Sequence, residues 1–431
     1  MAGSVAGPRL AALPGEIERF ALPNGLAVCL VRNAQAPIVS TALFYRAGAR
    51  DEEAGEGGLA HFLEHMMFKG SARYGPGEVD RRTQALGGTN NAFTSHDLTA
   101  YWFSFAADRW GEALAIEADR MRGLRLEPRE VDAERQVILE EIDMYRDDPW
   151  DALEMEVLAA LFAGHPYGRP VLGSPEELRA EGARELARFH RRFYRPDNAL
   201  LVVAGDLDGS AAERIDEAMG GLAASADRPS RRPCDVPRRP AGLHRCERRH
   251  GEIARLLLAL PAPAPSAADH AELLLAATLL AEGRASRLQR ELVEEGQLCL
   301  GVSATLSDHQ AGAYFGVSAE LLPGGDPGEI ECRLLAALAA LAEPAGEAEL
   351  ERARQIFLAD WVHEHERIHQ QALAVGVALS LFDLEQPERL LRRVEQATAE
   401  EVAAAARRWL DPSLGGVLGV CLPEGRRRRA T

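Results

Sequence analysis

The sequence predicts an α+β protein made of two homologous α+β domains, each a β-sheet with helices packed on it. Three observations carry this. The chain has 431 residues, enough for two or more domains with sizeable cores. Its two halves run through strands and helices in loosely the same order, as a duplicated unit would. Between them, from about residue 224 to 242, the composition shifts toward Arg, Pro, Ser and Ala, the character of a linker. The expected organisation is a domain over 1–223, a linker over 224–242 and a second domain over 243–431.

The elements follow in order. Phe20 to Val31 reads as strand, Asn24-Gly25 turn, strand. Ile38 to Tyr45 is a β-rich apolar run. It leads through Ala47-Gly48 and an acidic loop into an apolar helix that begins at Leu59 and stops near Gly70. A second helix is expected near Glu78 to Leu86. Gly87-Gly88 then open a β-branched and aromatic stretch to Phe105, with a bend at His96-Asp97. Helices are predicted over 109–124, 130–146, 150–162 and 183–194, then a buried strand over Ala199–Gly205 and a further helix. The second half offers strands at 253–260, 298–305, 313–319 and 415–421. Its helices fall at 269–283, 286–295, 330–342, 347–382 and 400–409.

Bulk properties exclude some functions. A net charge of −17 argues against a general nucleic-acid binder, which would show a basic face. The Arg426 to Arg429 run is a short basic tail, read as solvated. Six cysteines, none in a C-x-x-C pair, fit a reducing compartment in a chain large enough to fold without disulfides. Met1 to Glu16 lacks a basic stretch followed by an apolar one, and no segment is long and apolar enough to span a membrane. A cytoplasmic protein without membrane contact is expected.

The chemistry centres on His61-Phe62-Leu63-Glu64-His65. On a helix, residues four apart share a face, so His61 and His65 can hold one zinc ion through two imidazoles. Glu64 lies three residues after His61, placed to take a proton from water. The order H-x-x-E-H is the inverzincin signature. The plain alternative is two ordinary histidines beside a surface glutamate. A zinc site needs at least one more protein ligand, and the helix over 130–146 carries Glu134 and Glu141, two turns apart on one face. One of these would ligate and the other support the site. The strand over 88–105, beside such a site, would suit an extended peptide pairing with its edge. A second string, His365-Glu366-Arg367-Ile368-His369, is literally H-E-x-x-H. Its uniformly polar surroundings mark it as a solvated helix segment rather than a metal site.

The combination resembles the pitrilysin/insulinase superfamily of zinc peptidases, particularly its short-chain branch, which includes the mitochondrial processing peptidase subunits. The likeness rests on Leu22-Pro-Asn-Gly-Leu, Ala47 to Arg50, Gly57 to Gly70, Gly88 to Ser95, Glu134 to Ile142 and Phe193 to Leu200. It implies a clam-like chamber of which one chain forms half, zinc held by His61, His65 and Glu141, and Glu64 as catalytic base. It also implies Glu134 as the supporting carboxylate, and Asn91, Ala92 and Phe93 as the edge strand that aligns the peptide substrate.

One departure stands out. Active members of the superfamily carry an arginine and a tyrosine, seven residues apart, in the C-terminal half. The matching positions here hold Val293 and Leu300, which have no side-chain donor. Short-chain relatives solve this by pairing unlike subunits. The resemblance therefore implies a heterodimer in which this chain brings the zinc and a homologous partner brings the arginine and tyrosine. Two rival readings are a non-catalytic scaffold of the same fold and a dedicated precursor-maturation protease.

Overall fold

The computed structural model describes residues 15–224, 231 and 234–424. The Arg426–Arg429 tail, the opening residues 1–14 and residues 225–230, 232 and 233 of the expected linker lie outside the described residues. No helix among the described residues is long and apolar enough to cross a membrane. All six cysteines are unpaired.

The N-terminal half contributes β1 (Glu16–Ala21), β2 (Ala27–Arg32), β3 (Ile38–Tyr45), β4 (Thr89–Thr94), β5 (Thr99–Ala106) and β6 (Ala199–Gly205), in the sheet order β1-β2-β6-β3-β5-β4. The C-terminal half contributes β7 (Leu243–Arg249), β8 (Arg255–Ala262), β9 (Cys299–His309), β10 (Gly312–Leu321) and β11 (Gly416–Leu422), in the order β7-β11-β8-β10-β9. Set β1 aside and the two sheets have one topology. In each, the first strand pairs parallel with the last, and every other pairing is antiparallel. The duplication expected from the sequence is thus present strand for strand.

The halves also trade a helix. Helix Pro149–Leu161 of the N-terminal half packs on β8 and β11, where Leu153, Val157 and Leu161 meet Leu257, Ala259 and Val417. Helix Ile368–Leu381 of the C-terminal half packs on β3 and β6, where Ala372 and Val375 meet Ala42, Phe44, Val202 and Ala204. Each seat includes a glycine with no room for a side chain. A Cβ on Gly376 would lie 1.9 Å from the Phe44 ring, and one on Gly419 would lie 2.4 Å from Val157. Each sheet is covered on one face by its own helices and on the other by a borrowed one, which buries both faces of the central strands.

Several elements differ from expectation. The charged strand β7 (LHRCERR) was not predicted, because it lacks an apolar run; its place comes from parallel pairing with β11. The expected helix over 286–295 is a π-helical turn at Gln289–Glu295. The continuous helix expected over 347–382 is two helices, Glu347–Glu364 and Ile368–Leu381, and a further helix, Gln386–Gln396, follows. The break at 365–367 falls inside the H-E-x-x-H string and destroys its helical spacing. His365 stacks on Trp361 with ring centroids 4.2 Å apart, and His369 stacks on Trp102 at 4.7 Å. The string is a helix junction closed by two aromatic stacks, not a solvated helix.

Candidate metal centre

Helix Leu59–Met66 is seated by its own sequence. Gly58 precedes it with φ +95, a left-handed conformation that favours glycine, and a Cβ there would lie 2.4 Å from the Leu172 carbonyl. The buried Glu52 carboxylate accepts the N–H groups of Gly58 (3.2 Å) and Ala60 (2.9 Å), satisfying donors that a helix start leaves open. Leu59, Ala60, Phe62, Leu63 and Met66 bury into the N-terminal core. That anchoring leaves His61, Glu64 and His65 toward helix Pro128–Asp147 and strand β4, both of which pack against this helix.

Three of the candidate side chains converge. Ligand atoms of His61, His65 and Glu141 all lie within 4.8 Å of one another. Glu141 Oε2 is 3.8 Å from His61 Nε2 and 3.7 Å from His65 Nε2. These separations are too long for hydrogen bonds. They are close to the spacing of about 3.4 Å that donors take around a tetrahedral ion with bonds of about 2.1 Å. Two imidazole nitrogens and a carboxylate oxygen form a donor set suited to zinc with a position left open. Burial, and then the neighbouring His65, push the pKa of His61 down to about 3, so its ring is neutral and able to ligate. The set has one gap: His61 Nδ1 is buried without a hydrogen-bond partner.

The surrounding groups hold these side chains in place. Glu134, buried, has Oε1 2.7 Å from His65 Nδ1 and Oε2 2.6 Å from Lys69 Nζ. With Nδ1–H donating to Glu134, the Nε2 lone pair of His65 faces Glu141. The Thr94 hydroxyl donates to Glu64 Oε2 at 2.5 Å. Burial raises the Glu64 pKa above the ordinary carboxylate range; the Thr94 bond opposes this and Glu141 adds to it. A carboxylate so placed is a better proton acceptor than an exposed one. A bound dication would pull it back down.

β4 is the outer strand of its sheet. The three residues named on it divide between two faces. Ala92 packs with the N-terminal core beneath the site helix, while Phe93 packs with the cluster around helix Ile368–Leu381. Asn91 is exposed and its Oδ1 accepts the Ala92 N–H at 2.9 Å. Sequence reasoning missed Thr94, Lys69 and Glu52. Strand alternation from Ala92 was the signal available for Thr94. Glu52 and Lys69 gave none, because their partners are reached across loops.

β4 is also fixed from the C-terminal half. Asp97, in the turn after β4, is bonded by Arg50 at 2.6 Å and by the Tyr167 hydroxyl at 3.1 Å. The backbone N–H of Gln310, in the β9–β10 turn, donates to it at 2.8 Å.

The insulinase (peptidase family M16) sequence model matches residues 27–175, and that of the peptidase M16 inactive domain matches residues 182–357. An uncharacterized zinc protease of Mycobacterium leprae is 31% identical over 424 residues, 93% of this chain and 91% of that protein. The fold matches a protease from Helicobacter pylori with a TM-score of 0.90 at 24% identity, over 95% of this chain and 100% of that one. It also matches a chain of complex III2 from Candida albicans with a TM-score of 0.78 at 14% identity, over 94% of this chain and 96% of that one. The chain belongs to the insulinase family, peptidase family M16.

Proposed function

We propose that this chain is the zinc-bearing subunit of a metalloendopeptidase that hydrolyses peptides or unfolded segments. The observation that carries the reading is the convergence of His61, His65 and Glu141, with Glu64 on the same helix as the two histidines. In this reading those three residues hold zinc, which when bound supplies Lewis acidity toward water and the scissile carbonyl. Glu64 accepts the proton of the attacking water and delivers it to the leaving amine. Thr94 fixes which way the Glu64 carboxylate faces, and Glu134 fixes the His65 ring. The backbone of Asn91, Ala92 and Phe93 pairs with an extended substrate as an added strand.

The second part of the proposal concerns what the chain lacks. Val293 packs against the C-terminal core and Leu300 is half-exposed on β9, and neither side chain can donate a hydrogen bond to an oxyanion. A homologous subunit without zinc would supply an arginine and a tyrosine. Without them the chain alone is expected to turn over slowly, since one lost oxyanion donor costs about 10²–10³ in rate. The domain limits 1–223, 224–242 and 243–431 and a cytoplasmic location belong to the same proposal. Six unpaired thiols suit that compartment.

The test is to purify the chain alone, measure zinc per chain, and follow cleavage of a quenched-fluorescent peptide mixture. Zinc at one per chain with almost no turnover, restored by adding the partner, is the expected result. Robust turnover by the chain alone would remove the partner requirement. Absence of zinc would favour a scaffold role.

A further inference from the structure

Lys69 is the only lysine among the chain's 49 lysines and arginines. It sits in the turn that leaves the metal helix, where its N–H bonds to the Met66 carbonyl at 3.1 Å. From there its side chain reaches Glu134. The two oxygens of that buried carboxylate are divided: Oε2 lies 2.6 Å from Lys69 Nζ, and Oε1 lies 2.7 Å from His65 Nδ1. Lys69 is not one of the three converging candidate ligands; it lines the same cavity as Glu64 and His65 and acts through a carboxylate that orients one of the ligands.

Elsewhere in this chain several arginines take both oxygens of a carboxylate, although Arg50 holds one oxygen of Asp97 and leaves the other to the Gln310 N–H. Arg195 takes both oxygens of Asp197, at 3.1 and 2.7 Å. Arg287 takes both of Glu349, at 2.8 and 2.9 Å, and Arg389 both of Asp383, at 2.9 and 2.8 Å. Arg120 does the same with the fully buried Glu117. This fork is the ordinary geometry of guanidinium on carboxylate. An arginine forked onto Glu134 would occupy Oε1 as well and compete with His65 for it. An ammonium is a compact charge that satisfies one oxygen and leaves the other.

We propose that Lys69 is a positioning residue of the metal centre. It holds one oxygen of Glu134 and reserves the other for His65 Nδ1, and an arginine forked in its place would compete with His65 for that oxygen. The proposal rests on the reading of His61, His65 and Glu141 as the zinc site.

The experiment compares the full-length chain with Lys69→Met, Lys69→Arg, Glu134→Gln and the double variant Lys69→Met/Glu134→Gln. Zinc dissociation constants are measured by competition with a chromophoric chelator. The ¹⁵N shifts of the His65 ring are recorded on the zinc-free proteins. Both Lys69→Met and Lys69→Arg are expected to weaken zinc binding about 10–100-fold, the usual cost of losing a group that orients a ligand. The double variant should bind zinc no more weakly than Glu134→Gln alone, because Lys69 acts through Glu134. In the zinc-free Lys69→Arg protein the His65 Nδ1 signal should lose its hydrogen-bonded shift. Wild-type affinity in Lys69→Arg would overturn the proposal by showing that charge alone suffices. Wild-type affinity in Lys69→Met, or additive losses in the double variant, would overturn it too. If the unaltered chain binds no zinc, the metal reading fails. The His65 ring shifts still decide the Lys69–Glu134–His65 arrangement on their own.

Discussion

The two halves share a strand order and differ in the helix that follows their second shared strand. In the N-terminal half this is Leu59–Met66, anchored by five apolar residues and carrying His61, Glu64 and His65. In the C-terminal half it is His270–Ala281, where every residue but Leu274 is buried. The C-terminal helix begins with a histidine, yet the nearest charged partner of His270 is Asp308, with Nε2 3.3 Å from Oδ2. Among the described residues no second group of three metal-binding side chains is assembled. One architecture therefore serves two purposes. A helix that fills a core from all sides has no side left for chemistry, whereas one that leaves a polar strip against a carboxylate-bearing neighbour can hold an ion. The apolar half still contributes, because its β9–β10 turn ties down the end of β4 and its helix Ile368–Leu381 supports the N-terminal sheet.

The largest test of this contrast is Glu64→Gln. Turnover should fall about 10²–10⁴-fold, the span of general-base catalysis, while metal analysis still finds one zinc per chain. Zinc lost together with activity would make Glu64 structural and weaken the division of labour within the helix.

Next comes the carboxylate cluster beside the start of the site helix. Glu181 is buried, both of its oxygens lack hydrogen-bond partners, and its pKa is raised to about 9 by burial and then by Glu52, Glu177, Glu56 and Glu185. The unfolded chain releases this proton near pH 4.5, and the folded chain keeps it until about pH 9. Folded stability is therefore lost progressively as pH rises through that window. Glu181→Gln should remove the loss: near-equal stability at pH 4.5, and a variant more stable by a few kcal/mol at pH 8. Equal denaturation midpoints at pH 8 would show that Glu181 is ionised and solvated in the native state.

A smaller effect probes the exchanged helices. Gly376→Ala and Gly419→Ala each force a methyl into an occupied seat, and overpacking of this kind costs about 1–3 kcal/mol. The Gly376 change should cost more, since it meets the rigid Phe44 ring at 1.9 Å, whereas Gly419 meets a valine methyl at 2.4 Å. Urea denaturation measures both. Two silent substitutions would mean that the halves do not depend on each other's helices.

The last test predicts no change. His270→Gln should leave zinc at one per chain, because among the described residues the C-terminal helix assembles no group of three metal-binding side chains. A drop in metal content would show that the two halves are less different than their helices indicate.

Much of this was legible in the chain because it is local. The H-x-x-E-H spacing places two imidazoles and a carboxylate on one side of any helix, whatever surrounds it. The apolar runs of β3, β6, β8 and β11 mark strands directly, and the Asn24-Gly25 turn fixes a hairpin. Strand β7 was not legible, since Leu243–Arg249 is held by its parallel partner rather than by its own pattern. Nor was the break in the H-E-x-x-H string, where aromatic stacks on Trp361 and Trp102 outweigh helix continuation.

By itself the sequence determined the repeated element order, the helix that carries the candidate metal ligands and a short list of carboxylates able to complete its site. Periodicity is a property of neighbouring residues, so these needed no knowledge of the distant chain. Spacing alone could not say which glutamate faces the imidazoles, and only the resemblance implied it; in the fold Glu141 faces them and Glu134 meets His65 from behind, because the two share a helix face and differ in what lies opposite. Tertiary structure also decided that each half would cover its sheet with the other's helix. An apolar helix face specifies that it must be buried, since that removes its surface from water, but it does not specify against what.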